Sequence, residues 1–575
     1  MTAGDRCPRT ARWLCGAVLL LALAGCDDAV AVTPPPVVPG TTITGNYLAA
    51  RHARIDGDDG DAATFLLAAL QKAPDDPMLL GRSWLVLTLD GRVGEAVDIA
   101  RRYLKAEDDG APLAHIVVAT GDIRAGRFVP AIERLGSAGQ SPLMAVLVPV
   151  LQAWAEFGAG HRDQAEATLG KLRGNPATTL LADVHAAWMA DAAGDEAAAV
   201  NYVRAALKAQ PEPWLRLAVL AGGILQRAGH KDEAQAVYDA YLQQHPGSDL
   251  LGPELVRLKS GKPPPRDITD ARSGAAEALF DGAGIVGRQN NRDTALALGQ
   301  LGLYLRPDFP PLQILVADML ENDDRFADAI RVYQAIARSD PLAISGRLGV
   351  ARNLDRLDRF DEAQATLRQL AAEHPDDPEP YGELGDLLRR HDRFADAVVA
   401  YDQAVARSGT LEPRHWQLLY ARGIALERSK QWPRAEADFL KALELQPDQP
   451  YVLNYLGYSW VEQGQNLDKA EAMIRKAVEL EPNDGYIIDS LGWVLFRLGH
   501  QDEAVVQLER AVEIRPEDAA INDHLGDAYW AVGRQREARF QWEAALANKP
   551  EPELKTAIEQ KLADRPLRAA SAERP

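Results

Sequence analysis

The chain has 575 residues, of which 47% are hydrophobic and 25% charged, enough to build a large apolar core. Its formal net charge of −20 repels phosphate backbones and anionic head groups, which argues against nucleic acid as a partner. Three cysteines in this length leave no room for a disulfide framework or a cysteine metal centre.

The chain begins with a basic stretch, Arg6, Arg9 and Arg12, followed by an apolar run from Trp13 to Ala24. That run is too short to span a bilayer, which takes roughly 20 apolar residues, and it fits a secretory signal. It ends in Leu23-Ala24-Gly25-Cys26-Asp27-Asp28. This ending resembles the lipobox of bacterial lipoprotein signal peptides. The resemblance implies that residues 1–25 are removed, and that Cys26 is acylated and becomes the first residue. Cys15 lacks the motif, being preceded by Arg12-Trp13-Leu14. Cys7 and Cys15 leave with the signal, so no free thiol is expected afterwards. Asp5 against three arginines gives the signal +2, which leaves −22 on the remainder. Attachment to a membrane is therefore expected from acyl chains rather than charge.

Residues 26–45 carry Pro34, Pro35, Pro36 and Pro39, an extended tether. Beyond it one alanine recurs: Ala62, Ala96, Ala131, Ala165, Ala199 and Ala234, then Ala295, Ala329, Ala363, Ala397, Ala435, Ala470, Ala504 and Ala538. The steps are 34 or 35 residues, apart from the break at 234–295 and one step of 38. Proline follows most of these alanines by 12 residues, as at Pro74, Pro246, Pro375 and Pro516, and ends a helix there. Gly385, Gly423, Gly492 and Gly526 precede them by 12 and allow two helices to cross closely. Turns such as GHQDEA (499–504) pair a glycine with acids at the next helix start. Each unit holds two amphipathic helices and cannot bury both faces alone, so the units must stack.

This pattern resembles the tetratricopeptide repeat, best in YVLNYLGYSW, GYIIDSLGWVLF and AINDHLGDAYW. The resemblance implies an all-α superhelical solenoid of about fourteen helix-turn-helix units in two arrays, over 46–258 and 275–550. The proline-rich segment 259–274 reads as a linker between them, and 551–575 as a cap helix and tail. The early units are degenerate.

No catalytic motif stands out, so an enzyme is not expected, nor a metal or cofactor. GAGIVG (282–287) matches a dinucleotide fingerprint, but a helical pattern precedes it and Ala283 falls at a helix-crossing position. His161, His230 and His500 occupy turn slots, and His245 and His374 precede closing prolines. Phe326, Phe360, Phe394 and Trp432 lie three residues before a marker alanine, and Trp460 and Tyr529 fill another slot; all read as core.

In the resembled family, the first helix of each unit lines the concave surface and holds ligand peptides. The corresponding positions here are Tyr451, Asn454, Tyr458 and Glu462, then Tyr486, Asp489, Trp493 and Arg497, then Asp523, Asp527 and Trp530. Aromatics give contact area at low entropic cost, and the acids are expected to pair with basic peptide groups.

The expected function is a lipid-anchored, periplasm-facing scaffold that binds other envelope proteins or their peptide segments. The lipobox, tether and long solenoid together look like bacterial repeat lipoproteins, some of which are adaptors of a periplasmic carboxy-terminal processing protease. The alternatives are an assembly factor for a secretion, pilus or exopolysaccharide-export apparatus and, more remotely, a cell-wall-active enzyme. The family resemblance favours the outer membrane, whereas Asp27-Asp28 resemble an inner-membrane retention signal.

Overall fold

A computed structural model describes residues 37–107, 111–139, 141–289 and 291–565. Cys26, Asp27, Asp28, the signal segment and the prolines at 34–36 lie outside the described residues. Thirty α-helices and two short 3-10 turns make up the described residues, with no strand among them. Fourteen helix pairs each carry one marker alanine on the second helix. All fourteen alanines are at most 1% exposed, so the period marks the helix-crossing point of every unit.

The crossing is tight for a definable reason. A Cβ at Gly385 would lie 2.5 Å from the Tyr401 ring, and one at Gly526 would lie 2.4 Å from the Trp542 indole nitrogen. The aromatic four residues after the alanine fills the notch left by the glycine, and Tyr401 and Trp542 are completely buried. In the turn between helices, Gly499 sits at φ 85°. Asp324, Asp358 and Asp392 adopt the same left-handed conformation in their units without being glycine.

Several boundaries differ from expectation. The first helix starts at Ile43 because Thr42 caps it, and buried Asn46 exchanges two hydrogen bonds with Gly40. The terminal helix runs Pro552–Asp564. An additional helix, Gly252–Ser260, follows the sixth pair, and the next one, Ala271–Arg288, begins inside the stretch read as linker. The non-helical part is 261–270, and it is bound along the first array. Gln226 donates to the Lys262 carbonyl, Arg227 to the carbonyls of Pro264 and Pro265, and Ile268 is fully buried.

This route delivers the hairpin of Ala271–Arg288 and Arg292–Leu305 into the concave side of the first array. Helices Pro77–Leu89, Pro112–Arg124, Pro142–Gly158 and Pro176–Ala193, the first helices of four successive units, pack against it. Small residues make the fit possible: a Cβ on Gly274 would lie 2.3 Å from the Trp154 ring. Glu277 is fully buried and ion-paired to Arg216 and, at 3.3 Å, to Arg306. Trp154 donates its indole N–H to His185 Nδ1 at 3.0 Å, so the proton on that ring sits on Nε2, 3.1 Å from Asp281. Arg325 of the second array reaches Asp59 of the first at 2.5 Å, and Arg414 donates to the Pro246 carbonyl. The two arrays therefore share one core, which runs from Ala50 to Ala504.

The GAGIVG stretch is the end of the inserted helix, with Ala283 fully buried. His161, His230 and His500 are exposed in turns, as expected. Trp460 and Tyr529 are core residues. Phe326, Phe360 and Phe394 differ from expectation. They are half-buried at the turns, each under an arginine of the following unit: Arg356, Arg393 and Arg428. Trp432 is half-buried as well.

Candidate functional site

With the first groove filled by its own chain, the open concave surface belongs to the second array. A cleft of about 400 Å³ lies between the helices Pro450–Glu462 and Gly485–Arg497. Its walls include Asn454, Tyr455, Tyr458, Glu462, Tyr486 and Asp489. Both helices start at side-chain caps, Gln449 and Asp484, which bond the free backbone N–H groups of the first turn. This fixes Tyr486 at the mouth, where it is 47% exposed, while Tyr451, 45% exposed, lies outside the cleft lining. The guanidinium of Arg515 lies 4.7 Å over the Tyr486 ring.

Deeper in, Tyr458 is half-buried, and burial pushes its hydroxyl up to about 12, so it stays a neutral donor. Tyr455 donates to Glu427 at 3.1 Å. The side-chain oxygen of Asn454 is buried and has no protein donor.

The acids behave differently from expectation. Glu462 accepts from the Trp493 indole at 3.1 Å and pairs with Arg497 at 2.9 Å. Asp489 is bridged by His524 Nδ1, 3.0 Å from each oxygen, and Trp493 stacks on the His524 ring at 4.2 Å. Burial opposes a charge on His524, but the carboxylates of Asp489, Asp523 and Asp527 outweigh it and hold its pKa above the ordinary histidine value. Asp523 and Asp527 are taken by Lys561 of the terminal helix, at 2.8 and 2.7 Å. Trp530 sits beneath Arg565. The register therefore brings together Asn454, Tyr458, Glu462, Tyr486 and Asp489 around one cleft, and leaves Tyr451 outside it. Trp493 and Arg497 buttress Glu462, and Asp523, Asp527 and Trp530 lie under the terminal helix. The cleft offers tyrosine faces and an amide more than free negative charge.

Tetratricopeptide-repeat models match residues 320–385, 383–450, 420–485 and 492–533. The second array is built of tetratricopeptide repeats. No curated protein matches the chain. Among solved structures, the chain is similar to Cut9–Hcn1 of the APC/C, with 15% identity, coverage of 90% of this chain and 96% of that one, and a TM-score of 0.38. A tetratricopeptide-repeat protein of Parabacteroides merdae has 17% identity, coverage of 44% and 97%, and a TM-score of 0.36. YrrB, described as having an unusual peptide-binding site, has 23% identity, coverage of 34% and 97%, and a TM-score of 0.27.

Within the tetratricopeptide array, sequence reasoning missed Glu427, Tyr455, Ser459, Gln463 and Ser490, which complete the cleft. Tyr455 and Ser459 each follow a named lining residue by one position, so the cleft takes a wider arc of the helix than the family positions suggest. His524 was also missed, because its partner Asp489 is 35 residues away, one repeat earlier. Among the described residues, no group of three or more His, Cys, Asp or Glu is placed to hold a metal, and no helix is long and apolar enough to cross a membrane.

Proposed function

We propose that this protein is a non-enzymatic scaffold of the bacterial cell envelope, acylated at Cys26, facing the periplasm and binding a peptide segment of another envelope protein. The observation that supports it best is the cleft at Tyr458, the open part of a concave surface whose other half is filled. Tyr458 and Tyr486 supply broad apolar faces with a polar tip, and the Asn454 oxygen is an acceptor for a ligand N–H. Because Glu462 and Asp489 already have cationic partners, shape and tyrosine contact rather than charge select the ligand. The specific role proposed is that of an adaptor which brings substrates to an envelope protease of the carboxy-terminal processing type.

The test combines two variants of the full chain in native envelopes. Cys26→Ser should lose fatty-acid labelling and leave the membrane fraction. Tyr458→Ala with Tyr486→Ala should keep the helical circular dichroism while retention of the protease falls at least tenfold. Undiminished retention in the double variant would remove the cleft from the reading, and a membrane-bound, label-free Ser variant would remove the acyl anchor.

A further inference from the structure

The terminal helix Pro552–Asp564 is unlike the other first-position helices of the second array. Pro450–Glu462, Gly485–Arg497 and Ala519–Ala531 bury seven, nine and seven residues, whereas the terminal helix buries Ile558 alone. Nothing among the described residues follows it to cover its other side. Leu554 and Leu562 pack beside Ile558, in part, on the cluster that holds Trp542 and Tyr529. Glu551 at its start makes no side-chain cap, and Lys549 just before it holds a left-handed φ of 53°.

Over 552–565 the charges cancel, Glu553, Glu559 and Asp564 against Lys555, Lys561 and Arg565, but the side turned to the groove is cationic. Lys561 Nζ sits 2.8 Å from both oxygens of Asp523 and 2.7 Å from Asp527. Arg565 lies 3.6 Å from Asp527, and its guanidinium is 5.5 Å over Trp530 and 5.4 Å over Trp542. Arg539 donates to the carbonyls of Leu562 and Arg565 at 2.9 and 3.0 Å, gripping the helix by its C-terminal end. Asp523 and Asp527 occupy the register of Asp489 and Trp493 one unit earlier and of Asn454 and Tyr458 two units earlier, so this is the last position of the same concave surface. A strip of apolar surface, two carboxylates, two indole faces and an arginine aimed at helix carbonyls together describe a seat for a helix with the spacing Leu-x3-Ile-x2-Lys-Leu-x2-Arg.

We propose that the surface under the terminal helix is a docking seat for an amphipathic helix of a partner protein with cations on its inner face, and that the terminal helix is its resident, displaceable occupant. The proposal rests on the groove reading for its register alone. A chain that takes a helix here after losing its partner at Tyr458, or the reverse, separates the two. Charge complementarity chooses the occupant: buried Asp523 and half-buried Asp527 hold a lysine rather than a neighbouring unit's ring. The binding helix must carry cations seven and eleven residues after its first leucine.

The first measurement uses the unaltered full chain. Native-state hydrogen exchange should show 552–564 opening at least a hundredfold more often than 519–531, which stays protected. Exchange of 519–564 as one cooperative unit overturns the proposal, because the helix is then a fixed structural cap. The second measurement uses the full chain carrying Ile558→Asp and Lys561→Glu, with a fluorescein-labelled synthetic peptide of residues 550–565 as probe. Expected is binding to this variant at least tenfold tighter than to the wild type, falling at least tenfold when the peptide carries Lys561→Ala and weakening with added salt. Peptide binding that ignores the lysine also overturns the proposal, and so does binding equal in variant and wild type.

Discussion

Asp90 ends the helix Pro77–Leu89 at the seam between the two arrays, and its carboxylate is 3.7 Å from Arg325. Arg325 is already engaged by Asp59 at 2.5 Å and Asp328 at 2.6 Å. The other charges acting on Asp90 are those of Arg92, Asp59 and Asp328, and Arg331 lines the small cleft at the seam that Asp90, Arg325 and Asp328 also line. Burial is the largest influence and lifts its pKa from 3.8 to about 6, against the pull of Arg325. A folded value above the unfolded one means that the fold prefers the protonated acid. Its contribution is complete below the unfolded value and is lost as pH rises through about 6. The interval corresponds to about 3 kcal/mol. The side chain is 12% exposed, so solvent screens little of this. Asp90→Asn keeps the shape and removes the ionisation. In urea titrations followed by far-ultraviolet circular dichroism, the variant should exceed the wild type by up to about 3 kcal/mol at pH 8, and the gap should shrink below about 1 kcal/mol at pH 4. A variant less stable than the wild type at pH 8 would show that Asp90 is a working ion-pair partner of Arg325, and the burial account would be refuted.

Gly526→Val places a Cβ 2.4 Å from the Trp542 indole nitrogen, and overpacking of this kind costs about 1–3 kcal/mol. Thermal unfolding of the variant should start at lower temperature, with exchange rising first in 519–547. Arg216→Met leaves Glu277 fully buried with only Arg306 as counter-charge. Breaking such a pair costs about 3–5 kcal/mol, and limited proteolysis should now cut within 261–270, where the wild type resists. His524→Gln removes a group whose raised pKa stabilises the fold below the ordinary histidine value and loses that effect as pH rises past the folded one. Hydrogen exchange of 485–531 should therefore depend on pH above the ordinary histidine value, beyond the chemical rate, in the wild type and not in the variant.

The repeat was legible because its cause is local. Each unit must bring a glycine or alanine on one helix against a large residue on the next, and that demand recurs every 34 or 35 residues as Ala397, Ala504 and Ala538 with Gly385, Gly492 and Gly526. The cleft positions Tyr458 and Asp489 were legible for the same reason, since register along a helix fixes which side chains share a face. The partners of the acids were not legible. Lys561 lies 38 residues from Asp523, and Arg216 lies 61 from Glu277. A surface acid and a buried one look alike in the sequence until the opposing helix is placed.

By itself, then, the sequence determined the unit: two helices, their crossing point, the turn and the need to stack. Only the tertiary structure decided that Ala271–Arg288 fills the first groove, that 261–270 is bound along the first array, and that the terminal helix occupies the last acidic position of the second. Helix periodicity is written by neighbours three and four residues apart. How one solenoid closes on another depends on twist accumulated over many units and on ion pairs such as Arg325–Asp59, whose members are 266 residues apart and carry no mark of each other.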